Sequence, residues 1–308
     1  AARTADPRLE TGRRPALSLL AISLRPEQWT KNLLVFAGVL FGGRLLELDA
    51  VLTATAAFAI FCGLSGAVYV FNDVSDRDAD RRHPLKQVRP IAAGDLPAPV
   101  ALFAAAVLTV VSMTGALLVS PALAAVAAGY VVLLLLYSVA LKHVVIIDVL
   151  TIAGGFVLRA IAGAVAVSVP IGSWLLVCTT LLALFLALSK RRHELLLLGD
   201  GAVDHRRSLD EYSPYLLDQM IAVVTASTLI AYTVYATSGD TALRLGTSRL
   251  GLTIPFVLYG IFRYLYLVHR KRGGGSPAAM LLTDRPLMMC VGLWVATAAL
   301  LMYSPLGK

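Results

Sequence analysis

Three aspartates follow one of the long apolar stretches of the sequence at a helical spacing. Asp73, Asp76 and Asp80 are three and four residues apart, which on an α-helix places their carboxylates within an arc of about 60°. Carboxylates this close repel one another unless a cation lies between them, and Mg²⁺ prefers such oxygens together with those of a phosphate substrate. Asn72 can add a neutral oxygen. The pattern therefore predicts a magnesium site formed by Asn72 and the three aspartates.

The same segment has a second interpretation, an exposed acidic helix face paired with Arg77, Arg81 and Arg82. Charges that emerge directly from an apolar span are costly unless they have a function. The twelve-residue calcium loop with its central glycine is absent. The magnesium site is therefore the interpretation we favour.

The composition identifies the elements that must position this site. The chain has 308 residues, 58% of them hydrophobic and 15% charged, whereas soluble domains have about 25% charged residues. This excludes a water-soluble globule and predicts an all-α integral membrane protein with nine transmembrane helices. The predicted spans fall at about residues 32–48, 50–72, 97–119, 121–141, 144–168, 172–189, 215–237, 250–268 and 286–303.

The basic residues predict the orientation of the helices. Most of the 27 lysine and arginine residues fall in the N-terminal region and in alternate connections, whereas the opposite side carries Arg44, Arg244, Arg249 and Lys308. By the positive-inside rule, the N-terminus and the active site are cytoplasmic and the protein is a multi-pass protein of the cell membrane. The net charge of +8 reflects this bias, so we expect no nucleic-acid partner. We expect a cytoplasmic tail over 1–24 and a single catalytic domain over 25–308.

The order of the motifs resembles the UbiA superfamily of intramembrane prenyltransferases over residues 23–303. The resemblance rests on the nine spans, on Asn72-Asp73-x-x-Asp76-x-x-x-Asp80, and on Tyr137-Ser138-x-x-x-Lys142 after the fourth span. Other segments resemble the decaprenyl-phosphate phosphoribosyltransferase branch of that superfamily. They are Arg25-Pro26-x-Gln28-Trp29-x-Lys31-Asn32, His83-Pro84-x-Lys86-x-x-Arg89-Pro90-Ile91-Ala92-Ala93-Gly94, Leu158-Arg159-Ala160-Ile161-Ala162-Gly163 and Lys190-Arg191-x-x-Glu194-Leu195.

The resemblance implies a UbiA-type bundle with the active site at the cytoplasmic side. It implies Mg²⁺-dependent transfer of a 5-phosphoribosyl group from phosphoribosyl diphosphate to a polyprenyl (decaprenyl) phosphate, with release of diphosphate. The product would serve cell-wall arabinan synthesis. The partners implied are these two substrates and the lipid bilayer, and the small-residue helix faces are compatible with a homo-oligomer.

The connection after the sixth span departs from the pattern of the superfamily. Members that alkylate aromatic acceptors carry a second aspartate-rich motif there, whereas this chain has Lys190-Arg191-x-x-Glu194 and only a remnant, Asp200-x-x-x-Asp204. Basic groups at this place suit a substrate with more phosphate than one Mg²⁺ can neutralise. The predicted catalytic and metal-binding residues are Asp73, Asp76 and Asp80, with Asn72 as a further ligand. The predicted substrate-binding residues are Gln28, Lys31, Asn32, Asn72, Lys86, Arg89, Tyr137, Lys142, Arg159, Lys190, Arg191 and Glu194.

Several polar residues inside the predicted spans have two interpretations. Arg159 must face the interior of the bundle, because an unpaired charge there costs about 2.5–3.5 kcal/mol on insertion scales. It either lines a cavity in a polar stripe with Asp148 and Gly155, or pairs with another helix. Lys31 either contacts a phosphate or extends to the interface as a snorkelling lysine.

The first predicted helix and the eighth also carry polar groups. Gln28 and Asn32 follow Arg25 at i+3 and i+7, which predicts one polar face on the first helix. Tyr264 in the eighth helix is expected to be a packing aromatic. Glycines 38, 42 and 163 predict close packing of helices.

Two other functions are consistent with the sequence. A UbiA-type prenyltransferase that moves a prenyl group from prenyl diphosphate to an aromatic or quinone-precursor acceptor would use the same scaffold, but it normally needs both acidic connections. A transporter would account for charges inside helices, although no inverted repeat is visible and the charges cluster on one side.

Overall fold

The computed structural model describes residues 15–198, 209, 211–271 and 275–304. Most of the predicted N-terminal tail, the Asp200-x-x-x-Asp204 segment and Lys308 lie outside the described residues. The α-helices are α1 (Ala16–Ser23), α2 (Ala37–Phe41), α3 (Leu48–Ser75), α4 (Arg77–Arg82), α5 (Pro90–Ala93), α6 (Ala98–Val119), α7 (Pro121–Val139), α8 (Ile147–Ala166), α9 (Ser173–Leu198), α10 (Pro214–Thr237), α11 (Gly239–Leu245), α12 (Ile254–Arg270), α13 (Pro277–Thr283) and α14 (Arg285–Tyr303). Among the described residues, 3-10 helices cover Pro26–Phe36, Leu141–His143 and Leu250–Thr253.

Eight helices of the described chain are long and apolar enough to cross a membrane. They are α3, α6, α7, α8, α9, α10, α12 with the 3-10 turn before it, and α14. Their starts follow from local sequence. Proline occupies the first turn of most of them, where its missing N–H costs nothing. The side chains of Ser120, Ser213 and Asp284 accept hydrogen bonds from the N–H groups of Leu123, Leu216 and Leu287.

The first predicted span differs from the expectation of a continuous helix over 32–48. The chain forms an 11-residue 3-10 helix over Pro26–Phe36 and then the five-residue helix α2. A 3-10 helix rises about 2.0 Å per residue and an α-helix about 1.5 Å, so these 16 residues extend over roughly 30 Å, the thickness of a hydrocarbon core. Hydropathy detects an apolar stretch of this kind but not its helix type.

The long helices pack into one bundle in which α8 has a central position. It contacts α3, α7, α9, α2 and the first 3-10 helix. Two glycines allow the backbones to approach closely where α8 meets α2 and the first 3-10 helix. A Cβ atom on Gly163 would overlap the Val35 carbonyl oxygen, and one on Gly38 would overlap the backbone of Gly163. The predicted close packing at these glycines is confirmed. It places the first 3-10 helix directly against α8, which carries Arg159.

Candidate active site

The predicted aspartates lie where α3 ends, and the helix is interrupted between them. Asp73 is in the last turn of α3, Asp76 is the residue between α3 and α4, and Asp80 is in α4. Helical hydrogen bonds still flank the interruption: the Asp76 N–H donates to the Asn72 carbonyl at 2.9 Å, and the Asp80 N–H donates to the Asp76 carbonyl at 2.8 Å. The carboxylates nevertheless divide into an inner pair and one that faces a cavity.

Asp73 and Asp80 form the inner pair, and both are buried. Arg89 lies between them: its Nη1 is 3.0 Å from Asp73 Oδ1 and 2.5 Å from Asp80 Oδ2. Arg25 also pairs with Asp73, and Lys86 Nζ is 3.8 Å from Asp80 Oδ1. These guanidinium and ammonium groups supply the positive charge that two adjacent buried carboxylates require.

Asp76 is the aspartate that lines the cavity, together with Asn72. Lys142 Nζ lies 2.5 Å from Asp76 Oδ1, and Asn72 Nδ2 donates to Asp76 Oδ2 at 3.1 Å. Across the described residues, no three histidine, cysteine, aspartate or glutamate side chains are grouped so as to hold a metal ion. The oxygens of the three carboxylates are paired with arginine and lysine side chains, so the magnesium site remains a prediction.

The cavity has a volume of about 1350 Å³ and two chemically different parts. Its polar end is the part lined by ionisable side chains, which come from the region of the first 3-10 helix, from the segment between Asp76 and Arg89, from Lys142, from Arg159 on α8 and from the end of α9. Its apolar arm is lined by Phe41, Leu182, Tyr235, Val257 and Trp294, among others. The arm contains an aromatic group in which the Phe41 and Trp294 ring centroids are 6.0 Å apart. Such a cavity fits a ligand with an anionic head and a long apolar chain.

Arg159 extends into the bundle and lines the cavity, although only 4% of the residue is exposed. Its partners are neutral: Nε donates to Asn32 Oδ1 at 2.7 Å, Nη1 to the Gly155 carbonyl at 3.0 Å, and Nη2 to the Tyr130 hydroxyl at 2.6 Å. Within the described parts of the chain, no carboxylate lies at ion-pair distance from it. A buried guanidinium with neutral partners is a ready site for an anion.

Lys31 lies at the same wall of the cavity. Its Nζ is 5.9 Å from the centre of the Tyr69 ring, over which the Arg25 guanidinium also lies at 5.0 Å. Tyr69 itself lines the cavity, and both cations lie near its ring. This cation group, Arg25, Lys31 and Arg159, was not anticipated as a unit, because a 3-10 helix brings it together.

The 3-10 helix changes which polar residues share a face. Residues three apart are in line in a 3-10 helix, so Asn32 shares a row with the buried Val35, while Lys31 shares a row with Leu34 at the cavity. Asn32 is fully buried and holds Arg159. Gln28 does not line the cavity. The predicted polar face is therefore wrong in placing Asn32 with Gln28, because Gln28 shares the row of Lys31 and Leu34.

Arg191 is the centre of a second buried network, on α9. Its Nε donates to Asp148 Oδ2 at 2.7 Å, Nη2 donates to the Tyr137 hydroxyl at 3.0 Å, and Nη1 pairs with Glu194. Tyr212 donates to Asp148 Oδ1 at 2.9 Å, and burial raises the pKa of Tyr212 to about 12. Asp148 thus pairs with another helix and does not form a stripe with Arg159. Arg191 thus joins α7, α8 and α9. Its neighbour Lys190 also lines the cavity, and the Lys190 side chain is the more exposed of the two.

The remaining predicted residues all lie on the cavity wall. Lys86, Arg89, Tyr137, Lys142, Lys190, Arg191 and Glu194 line it together with Asn72 and Asp76. The residues in contact with these charged groups that the sequence did not reveal are Tyr69, Tyr130 and Tyr212. Their contacts depend on helix packing, and nothing in their local sequence distinguishes them from interface aromatics.

Comparison with known proteins agrees with this architecture. The family model described as the UbiA prenyltransferase family matches residues 32–293. A decaprenyl-phosphate phosphoribosyltransferase of Mycobacterium tuberculosis is 34% identical over 280 residues, covering 89% of this chain and 91% of that protein. The protein of the same name from Mycolicibacterium smegmatis is 35% identical over 300 residues, covering 93% of each.

The fold is also that of a solved structure, a UbiA homolog from Archaeoglobus fulgidus bound to DMAPP and Mg²⁺. The TM-score is 0.70 at 18% identity, covering 91% of this chain and 97% of that one. The apolar helices, the aspartates at the end of α3, the match to the family model and the similarity to these relatives all agree. This chain is an integral membrane protein that belongs to the UbiA prenyltransferase family.

Proposed function

We propose that the protein transfers a 5-phosphoribosyl group from phosphoribosyl diphosphate to a polyprenyl phosphate of the decaprenyl type. The observation that carries the proposal is the charge at the polar end of the cavity. Of the described residues that line it, only Asp76 and Glu194 carry carboxylates. The lysines and arginines outnumber them; they are Arg25, Lys31, Lys86, Arg89, Lys142, Arg159, Lys190 and Arg191.

An excess of cations matches this pair of substrates. Phosphoribosyl diphosphate carries a diphosphate and a 5-phosphate, and the lipid brings one more phosphate group. A prenyl diphosphate with a neutral aromatic acceptor would bring the diphosphate alone. The names of the relatives from Mycobacterium tuberculosis and Mycolicibacterium smegmatis support the same choice.

The residues at the end of α3 fit a magnesium ion by their chemistry. Carboxylate and amide oxygens are the ligands that this hard cation prefers, usually with substrate phosphates completing its shell. Asp76 and Asn72 line the cavity and would hold it with Asp73 and Asp80. When bound, Mg²⁺ would supply positive charge to the diphosphate leaving group. The solved UbiA homolog bound to Mg²⁺ supports a divalent ion of this kind.

The protein's own side chains have separate roles in the proposed reaction. Lys142 and Arg89, which now pair with aspartates, are positioned to donate to diphosphate oxygens instead. The bond between ribose C1 and the diphosphate oxygen breaks, and its electron pair leaves with the diphosphate. An oxygen of the lipid phosphate attacks C1 from the opposite face, which inverts the configuration there. The lipid phosphate is already anionic at pH 7, so no strong general base is required.

In this proposal the phosphate and the isoprenoid chain of the lipid bind in different parts of the cavity. The cation group of Arg25, Lys31 and Arg159 is the proposed contact for a phosphate monoester, and the apolar arm takes the isoprenoid chain next to it. The charge bias of the sequence supports a cytoplasmic polar end in a cell membrane, where phosphoribosyl diphosphate is available. The product would then serve synthesis of the arabinan of a cell wall.

A direct experiment measures transfer. Purified protein in detergent is mixed with Mg²⁺, labelled phosphoribosyl diphosphate and decaprenyl phosphate, and the lipid fraction is examined for label. We expect a labelled lipid with both substrates present and none when either is omitted. Stabilisation by a prenyl diphosphate but not by phosphoribosyl diphosphate, with no labelled lipid, would instead assign aromatic prenyl transfer.

A further inference from the structure

The connection between α7 and α8 contains a strained turn at Ile146. Its φ is 68° and its ψ is −46°, and the Ile147 N–H donates to the Val145 carbonyl at 2.8 Å. This is a γ-turn of the rarer, strained kind with positive φ. Positive φ is unfavourable for a β-branched side chain, and among the described residues Ile146 is the only β-branched residue that adopts it. Such strain persists only where the surrounding structure holds it.

The Tyr212 hydroxyl holds this turn from the neighbouring connection, between α9 and α10. It accepts from the Ile146 N–H at 2.8 Å and donates to Asp148 Oδ1 at 2.9 Å. The Tyr212 ring is buried in a core cluster with Val149 and Leu217, which fixes the position of the hydroxyl. The Ile146 side chain is 46% exposed, so its own packing contributes little to holding the turn.

The turn lies between two cations of the polar end. Lys142, four residues before Ile146, lines the cavity. Asp148, two residues after it, pairs with Arg191, which also lines the cavity. A change of φ at Ile146 would displace the chain before the turn relative to the chain after it, and so would move Lys142 relative to Arg191. Tyr212 is not among the residues that line the cavity, so its effect on a ligand would pass through these two.

We infer that Tyr212 is a positioning residue whose hydroxyl keeps the strained turn in the conformation that places Lys142 for the diphosphate substrate. The inference rests on the proposed function, in which Lys142 donates to diphosphate oxygens. Stored backbone strain is typical of sites that hold a group ready for its ligand. The lipid phosphate is assigned to Arg25, Lys31 and Arg159, which do not contact the turn, so its binding should not depend on Tyr212.

Tyr212→Phe tests the inference, because it keeps the ring and removes the hydroxyl. Transfer is measured in detergent while phosphoribosyl diphosphate and polyprenyl phosphate are titrated separately. We expect KM for phosphoribosyl diphosphate to rise about tenfold and KM for polyprenyl phosphate to stay unchanged. The affinity for inorganic diphosphate with Mg²⁺, measured by thermal shift, should fall by a similar factor. The Tm without ligand should also fall, because two protein groups lose a partner.

Tyr303→Phe is the matched control for the loss of stability. The Tyr303 hydroxyl donates to the Leu40 carbonyl at 2.8 Å and accepts from the Leu45 N–H at 3.1 Å, at the end of α14. Tyr303 does not line the cavity. We therefore expect Tyr303→Phe to lower the Tm and to leave both KM values unchanged. A purely structural role of Tyr212 would give the same result for Tyr212→Phe.

A second substitution tests whether the hydroxyl acts through the turn. Glycine adopts positive φ without the penalty of a Cβ atom, so Ile146→Gly reduces the need for an external hydrogen bond. We expect Tyr212→Phe/Ile146→Gly to regain part of the lost affinity for phosphoribosyl diphosphate. The recovery should be incomplete, because the bond to Asp148 is still missing. If Tyr212→Phe does not fold, the double variant is compared with wild type instead, and equal KM values would overturn the inference.

The remaining outcomes separate this inference from the proposed function. An unchanged KM for phosphoribosyl diphosphate in Tyr212→Phe, an equal rise of both KM values, or no recovery in the double variant would overturn the inference and leave the proposed function intact. If wild type makes no labelled lipid but binds inorganic diphosphate with Mg²⁺ more tightly than Tyr212→Phe does, the proposed function fails and the positioning role of Tyr212 stands.

Discussion

The ammonium group of Lys142 and the carboxylate of Asp76 form an ion pair of 2.5 Å on the cavity wall, between the end of α7 and the end of α3. Both partners come from motifs that the sequence singled out separately. Their contact means that these two charges neutralise each other without substrate. A bound diphosphate and its metal ion would exchange partners with this pair.

The carboxylate of Asp76 should be required for transfer. Asp76→Asn keeps the size of the side chain and removes its charge, so we expect a loss of activity of about 100-fold or more, the scale of removing one charge-stabilising group. The measurement is the transfer rate as a function of Mg²⁺ concentration. Asp78→Asn is the matched control, because the Asp78 side chain is 88% exposed and pairs only weakly with Arg81. Equal rates for Asp76→Asn and wild type would remove the metal-site hypothesis.

Arg159 should act on substrate binding more than on folding. Arg159→Gln retains a donor for Asn32 but removes the cation, so we expect KM for one phosphate substrate to rise at least tenfold, with a smaller change in kcat. Separate titrations of phosphoribosyl diphosphate and polyprenyl phosphate identify which phosphate it contacts. Unchanged KM values for both substrates would show that Arg159 has a structural role only.

The Asp148–Arg191 pair should stabilise the bundle. Breaking a buried ion pair on one side costs about 3–5 kcal/mol when the remaining charge has no other partner. Arg191 keeps its pair with Glu194, so we expect a cost towards the lower end of that range. We expect Asp148→Leu to lower the Tm strongly, and the Asp148→Leu/Arg191→Met double variant to regain part of the loss. Thermal unfolding in detergent measures both. A double variant less stable than Asp148→Leu would contradict this role.

Gly163→Ala should destabilise the contact between α8 and the first 3-10 helix. The added methyl group meets the Val35 carbonyl, which belongs to backbone and yields only if the helices separate. Overpacking costs about 1–3 kcal/mol. Gly292→Ala in α14 is the control: no atom lies within 4 Å of its new Cβ, and alanine favours a helix more than glycine does. Comparable Tm values for the two variants would show that the contact is loose.

Hydropathy and charge were enough to predict most of the bundle. Long apolar runs mark α3, α6 to α10, α12 and α14 because a membrane-spanning helix must be apolar along its length. The first span was mispredicted as an α-helix, since Pro26 and the polar residues after it are compatible with either helix type. Periodicity with a step of 3.6 residues then assigned Asn32 to the wrong face.

The candidate site was predictable in its residue types but not in its pairings. Asp73, Asp76 and Asp80 follow an apolar span, where charges are unusual, and that signal is local. The pairing of Asp148 with Arg191 and of Arg159 with Asn32 depends on how three separate segments pack. Tyr130 and Tyr212 carry no local signal, because a phenol that bonds a guanidinium or a carboxylate looks the same in sequence as one at a lipid interface.

The first 3-10 helix makes this part of the chain intolerant of length changes. Each residue advances the helix by about a third of a turn. A single-residue insertion between Pro26 and Lys31 would therefore rotate every later side chain by roughly 120°. The Lys31 ammonium would then take the buried position of Asn32, and the Asn32 amide would move away from Arg159. A substitution here changes one side chain, whereas an insertion keeps the rotation of the later side chains only in multiples of three.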